Sequence, residues 1–273
     1  MHANLRPTSS KAGPIWKLSI QLALTLATST GFILLGISPN ALAAQSNNDT
    51  PPSHAKPIDY VQAVFSVQYG SKETAGENLL NIKSEGNQYE VNFDLDHWML
   101  SSNQYARFEM DDCTVQPEFY QDTNKRPFKS KETQKLEFDW AHHQAVFSNK
   151  DDKKTFTFKD NKIGYDPLSF FFEARCALMD GETQFTYPVI RKGKMKDQTY
   201  KISGQELVQT PLGDFEALIV ERERENPKRQ TRLYVAPELD YLLVKIEHQE
   251  SAMLRVVATL KEMDYKLKEA ANP

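Results

Sequence analysis

Arg175 is the residue whose setting most demands an explanation. It follows Phe171 by four positions and Phe172 by three, and with Leu168 it falls at helical spacing among apolar side chains. A guanidinium in such a place must be paired, because an isolated buried charge is strongly unfavourable. Two pairings satisfy it. One is internal, to backbone carbonyls or to an acid such as Asp166 or Asp139. The other is the anionic head of an apolar ligand, and the ligand-binding set expected from it is Arg175, Phe171, Phe172 and Leu168.

The remaining reactive residue types form weaker groups. Asp94 and Asp96 would share one face of a strand while His97 points the other way, which reads as a solvated strand end rather than a metal site. His142 and His143 are adjacent and diverge in an extended hairpin, so they read as a turn near Trp140. Glu109, Asp111 and Asp112 offer carboxylates, but glycoside chemistry needs two on opposite sides of a cleft and no opposing partner is identifiable. No GxSxG elbow, HExxH helix, phosphate-cradling glycine loop or EF-hand is present. No catalytic residue, metal or cofactor is expected, and the chain reads as a non-enzyme.

Two cysteines, Cys113 and Cys176, complete the inventory. In an exported chain such a pair is expected to be bridged, and closing a loop of this length would contribute about 4 kcal/mol. Two buried thiols are the alternative. The spacing suits neither a CxxC redox centre nor a cysteine-rich zinc site.

Export is read from the first 43 residues. Arg6, Lys11 and Lys17 form a basic leader without acids, residues 18–37 are an apolar run, Pro39 breaks it, and Ala41-Leu42-Ala43 supplies the small residues of a cleavage site. Cleavage is expected after Ala43 and a periplasmic location with it; an uncleaved anchor is the alternative, and no later stretch is apolar enough to span a bilayer. The leader holds three of the 33 basic residues and none of the 37 acidic ones, so the mature chain carries a net charge of −7 with His neutral. That sign argues against nucleic acid as a partner and against attraction to an anionic membrane surface.

The elements that must position these residues are strands. Residues 44–57 read as a disordered lead-in, 58–265 as a single all-β, barrel-like antiparallel domain, and 266–273 as a flexible tail. Ala63, Phe65, Val67 and Tyr69 alternate, as do Tyr89, Val91, Phe93 and Leu95 beyond the hairpin signal Gly86-Asn87. Residues 121–135 are polar and read as a long exposed loop. From 200 to 260 a meander of alternating apolar sets recurs: Phe215, Ala217 and Ile219; Leu233 and Val235; Leu242, Val244 and Ile246; Leu254, Val256, Ala258 and Leu260. One stretch, 166–179, breaks the pattern. Asp166 in capping position, Pro167 after it, and Leu168, Phe171, Phe172, Cys176 and Met179 at helical spacing predict a short buried helix laid across the sheet.

With these elements in place the chain resembles an exported bacterial family of unknown function, domain of unknown function 3108. The resemblance is carried by Pro117-Glu118-Phe119-Tyr120, Phe138-Asp139-Trp140, Asp166-Pro167-Leu168-Ser169 with Arg175, and Gly204-Gln205-Glu206 leading to Thr210-Pro211-Leu212-Gly213. The run from Leu233-Tyr234-Val235-Ala236-Pro237-Glu238 through Asp240-Tyr241-Leu242-Leu243 to Ile246 is the most telling part. Leu243, where Pro is expected, and Tyr234, where Trp is frequent, depart from the pattern. The resemblance implies a periplasmic, barrel-like β domain and no reaction. The function expected is a binding or chaperone-like module for an apolar or amphipathic envelope ligand: lipid, lipoprotein or glycan precursor. An assembly factor of the envelope and a hydrolase using scattered carboxylates are the alternatives.

Overall fold

The computed structural model describes residues 56–268, apart from 71, 98–99, 126–127, 129, 160–161, 225, 227 and 252–253. The expected leader, all but the last two residues of the lead-in, and residues 269–273 of the tail lie outside the described residues. Fourteen strands form one antiparallel sheet. The first eight are β1 (Ile58–Tyr69), β2 (Lys72–Glu85), β3 (Gln88–His97), β4 (Leu100–Asp111), β5 (Thr114–Lys125), β6 (Glu132–Asp139), β7 (Gln144–Ser148) and β8 (Lys153–Thr157). The one α-helix among the described residues, α1 (Phe170–Met179), follows. The chain then continues as β9 (Gln184–Arg191), β10 (Lys194–Thr210), β11 (Gly213–Arg222), β12 (Gln230–Ala236), β13 (Leu242–Ser251) and β14 (Leu254–Leu267).

The first described strand lies in the middle of the sheet. β1 pairs with β2 on one side and with β14 on the other, so the order runs β8 through β1, then β14 down to β9. The crossover from one edge of the sheet to the other is the segment that carries α1. In a flat sheet thirteen steps of about 4.8 Å would hold those edges roughly 60 Å apart. The sheet instead coils on itself, and the edges meet through side chains without a closing ladder. Gly164, ahead of α1, runs so near β9 that a Cβ there would lie 2.8 Å from Ile190 Cδ1. Gly193, at φ +67° in the β9–β10 turn, leaves room for the Phe147 ring of β7, which a methyl would meet at 3.1 Å. A parallel bridge from Tyr165 to Val189 covers part of the outer edge of β9. The edge strand β8 presents Lys153 and Lys154 to solvent, charges that discourage edge-to-edge pairing.

The inner face holds the core, and α1 packs on both halves of it. Phe172 inserts against Tyr89 of β3 and Phe108 of β4, with centroids 5.5 and 4.7 Å away, while those two rings stack on each other. Phe170, on another flank, meets Tyr187 of β9 and Tyr200 of β10 at 5.9 and 5.4 Å. A helix with so much apolar surface has to be enclosed, and these two neighbours enclose it.

Four boundaries differ from the sequence expectation, each for a physical reason. Residues 121–125 and 132–135 are strand, not loop, because their polar side chains bond to one another across the sheet: Asn124 and Gln134 donate to Asp122, and Thr123 meets Thr133. The helix begins at Phe170 rather than at Pro167, since the Asp166 carboxylate accepts from the Leu168 and Ser169 amides and holds a turn there. The last strand runs to Leu267, and Lys268 N–H still donates to the Pro57 carbonyl, so order extends past the expected tail boundary at 265. In the meander the alternation breaks locally at Tyr234 and Val235, which are both buried. Leu233 pairs with Val220 and Tyr234 with Ile219, and a register shift at Tyr234/Val235 lets both of those β12 residues bury.

Truncating the ring that joins α1 to the first half of the sheet should be costly. Phe172→Ala is expected to destabilise the fold by about 3–5 kcal/mol, seen as a lower urea midpoint at unchanged slope.

Candidate functional site

The two ends of the coiled sheet differ in chemistry. At one end lie the start of β1, the β4–β5 turn and the β12–β13 turn, and α1 is tied to all three. Cys176 is disulfide-bonded to Cys113 in the β4–β5 turn, as expected for the pair. Arg175 Nε donates to the Asp240 carbonyl at 2.7 Å, and Nη1 donates to the Lys56 carbonyl at 3.1 Å. The residue is only 2% exposed, its Nη2 is buried without a hydrogen bond, and burial holds its pKa below the ordinary arginine value. Of its expected ligand-binding companions, Phe172 is buried against Tyr89 and Phe108, whereas Leu168 and Phe171 are half-buried at the core margin. Arg175 is thus served by backbone carbonyls, the internal pairing, and joins turns that are far apart in sequence.

Two acids complete this end. Asp166 is fully enclosed, and burial pushes its carboxyl above the usual carboxylate range against the pull of the Ser169 and Leu168 amides. Burial likewise raises Glu173, against the opposing influence of the Tyr165 hydroxyl and the Val115 amide. Asp166 Oδ1 holds the turn ahead of the helix, while Asp166 Oδ2 and Glu173 Oε2 are buried without a hydrogen bond.

The opposite end is polar on its inner face. Tyr200, which packs on Phe170, pairs across the ladder with Arg222, and Thr231 pairs with His248. Arg224 Nη2 donates to Thr231 Oγ1 at 2.8 Å, Thr231 lies 3.0 Å from His248 Nδ1, and His248 Nε2 faces Glu250 at 3.4 Å. Every partner is satisfied when Thr231 donates to Nδ1 and the neutral ring carries its proton on Nε2. Burial, with Arg224 and Arg191 nearby, holds His248 below its ordinary pKa, and Glu250 opposes this. In the other half of the sheet, Ser102, Asn124 and Gln134 converge on buried Asp122, and the Tyr120 hydroxyl donates to Gln104. Arg191 and Lys192 line a crevice with Tyr120 and Gln134, which brings the two polar regions together. A groove of about 530 Å³ opens beside Lys201, Arg222, Arg224, Arg229 and Gln230.

The weaker sequence candidates are dispersed. Asp94 accepts from Asn92 and Asn103, while the side chains of Asp96 and His97 lie outside the described residues. His142 pairs with Asp139 at 2.7 Å and holds that carboxyl below the usual range. Glu109 accepts from Gln88. Among the described residues no three His, Cys, Asp or Glu side chains stand together as a metal set. Arg222, Arg224, Arg191 and His248 are the residues that sequence reasoning passed over. In the sequence Arg222 and Arg224 stand among alternating charges at a hairpin tip, and only the sheet register turns them to the inner face.

Comparison with known proteins fits this fold. The family model described as protein of unknown function DUF3108 matches residues 64–259. The chain belongs to this family. Among solved structures it is similar to a beta-barrel-like protein of domain of unknown function DUF1849 from Brucella abortus. The TM-score is 0.52 at 8% identity, over 77% of this chain and 99% of that one. The likeness is one of fold. No curated protein matches.

Two outcomes follow from the two ends. Arg175→Met should cost about 1–3 kcal/mol in urea titrations, because two carbonyls lose their donor, and should leave the opposite end unchanged. His248 has a folded pKa below its unfolded value near 6.5, so its contribution is complete above about pH 6.5 and is lost as pH falls towards the folded pKa. His248→Gln should therefore flatten the acid-side fall of the urea midpoint in that window.

Proposed function

We propose that the protein is a non-enzymatic binding module of the bacterial cell envelope. In this reading it is exported through the 1–43 leader and holds an amphipathic envelope component at the polar end of its coiled sheet. The observation that carries the reading is the contrast between the ends. One is sealed by a helix held by a disulfide and a buried arginine, and the other offers a groove of about 530 Å³ with charged walls. The inner face beneath α1 is occupied by the protein's own aromatic rings, so the ligand is assigned to the groove and not to the space under the helix.

The alternatives find less support. Assembly by strand addition would use a free edge, but β8 carries two exposed lysines and β9 is partly covered at Tyr165. A carboxylate hydrolase would need two acids facing across a cleft, whereas Asp166 is enclosed and bound to the Leu168 and Ser169 amides ahead of the helix. No helix among the described residues is long and apolar enough to cross a membrane.

Native mass spectrometry of the protein purified from its own periplasm tests the reading. A discrete mass increment of lipid or glycolipid size, released on denaturation, is expected. A bare polypeptide mass in repeated preparations overturns it.

A further inference from the structure

Among the described residues, the groove at the polar end carries more positive charge than its acids pair with. Its walls bear Lys201, Arg222, Arg224 and Arg229 against Glu221 and Glu223. Lys201 pairs with Glu223 at 3.0 Å, Arg229 with Glu250, and Glu221 with Arg232 at 3.2 Å. Among the described residues, Glu221, Glu223 and Glu250 are therefore already paired. Among the described residues, Arg222 and Arg224 have no carboxylate partner, and the Nε of each is buried without a hydrogen bond. Arg224 is held by Thr231, which is held in turn by His248, so its guanidinium is braced from behind. Burial and the mutual repulsion of Arg222, Arg224 and Arg191 hold the first two below the ordinary arginine pKa. Like charges kept together, half out of water and without a counter-ion, oppose folding unless an anion joins them.

We propose that Arg222 and Arg224 bind a phosphate group in this groove. Guanidinium forks match the tetrahedral oxygens of phosphate, and two arginines without a carboxylate partner among the described residues favour a dianion over a single carboxylate. Thr231 is a positioning residue for Arg224. His248 senses occupancy, since an anion that screens Arg224 and Arg191 makes its protonation easier. The inference rests on the binding reading above, because it names the head group of the component held at that end. A lipid head group and a soluble phosphorylated compound share this chemistry.

Calorimetric titration of the full mature chain with inorganic phosphate, at constant ionic strength in chloride, tests it. Saturable binding is expected, weakened at least about tenfold in Arg222→Gln and Arg224→Gln and unchanged in Lys83→Gln on a distant strand. Arg222→Lys and Arg224→Lys keep the charge but lose the fork, and should retain the fold while still weakening binding. An NMR titration of the His248 ring in the unaltered protein adds a readout that needs no variant, and its pKa should rise when phosphate is added. No saturable heat with an unmoved His248 overturns the proposal, as does acetate binding as tightly as phosphate. Vesicles of phosphatidylcholine with and without phosphatidic acid then separate the sources. Capture only by the doped vesicles indicates a lipid head group, and binding of free phosphate alone indicates a soluble ligand. A protein that brings a neutral amphiphile from the periplasm but ignores phosphate fails this inference and leaves the broader reading standing. Phosphate binding by a protein of bare native mass does the reverse.

Discussion

The packing of α1 against both halves of the sheet is the interaction on which the rest of the structure depends. A fourteen-stranded antiparallel sheet with an apolar inner face cannot remain flat in water, and its strands twist in one sense, so it coils. Coiling leaves a space that must be filled. Phe172 fills the half built from β3 and β4, and Phe170 fills the half built from β9 and β10. Because the helix sits on the crossover between the two edges, the connection that brings the chain from β8 to β9 also supplies the filling. The edges then meet by side-chain contact at Gly164 and Gly193, with no need for a continuous ladder.

Once the helix is enclosed, its polar groups must be satisfied locally, and this separates the two ends. Arg175 reaches the carbonyls of Lys56 and Asp240, Asp166 binds the amides ahead of the helix, and Cys176 is covalently joined to Cys113. Most of the polar capacity at that end is committed to fixing the helix. At the other end the inner face changes from aromatic to polar where Tyr200 gives way to Arg222, Thr231 and His248. Charges that the fold does not use remain there.

Membership of a family of unknown function, and likeness in fold to another protein of unknown function, leave the chemistry to be argued from the site. Barrel-like β architectures support many activities, and what distinguishes one from another is which groups face an accessible space. Here buried Asp166 faces backbone amides, and arginines stand among the groove's lining.

The sequence by itself determined the strand-rich class, the short apolar helix after Asp166, the cysteine pair and the family, because period-two alternation, helix-start residues and an isolated pair of cysteines are local signals. It also marked Arg175 as a charge that had to be paired. It did not mark β5 and β6 beyond residue 120, since Asp122, Asn124 and Gln134 are stabilised by partners on neighbouring strands and look like loop when read alone. It did not mark the groove either. Arg222 and Arg224 stand in a run of alternating charges, and which face they take depends on the register of β10 against β11 and of β12 against β13. A shift of one residue would put both arginines on the other face, so only the tertiary pairing could decide that they converge with Arg191 and His248.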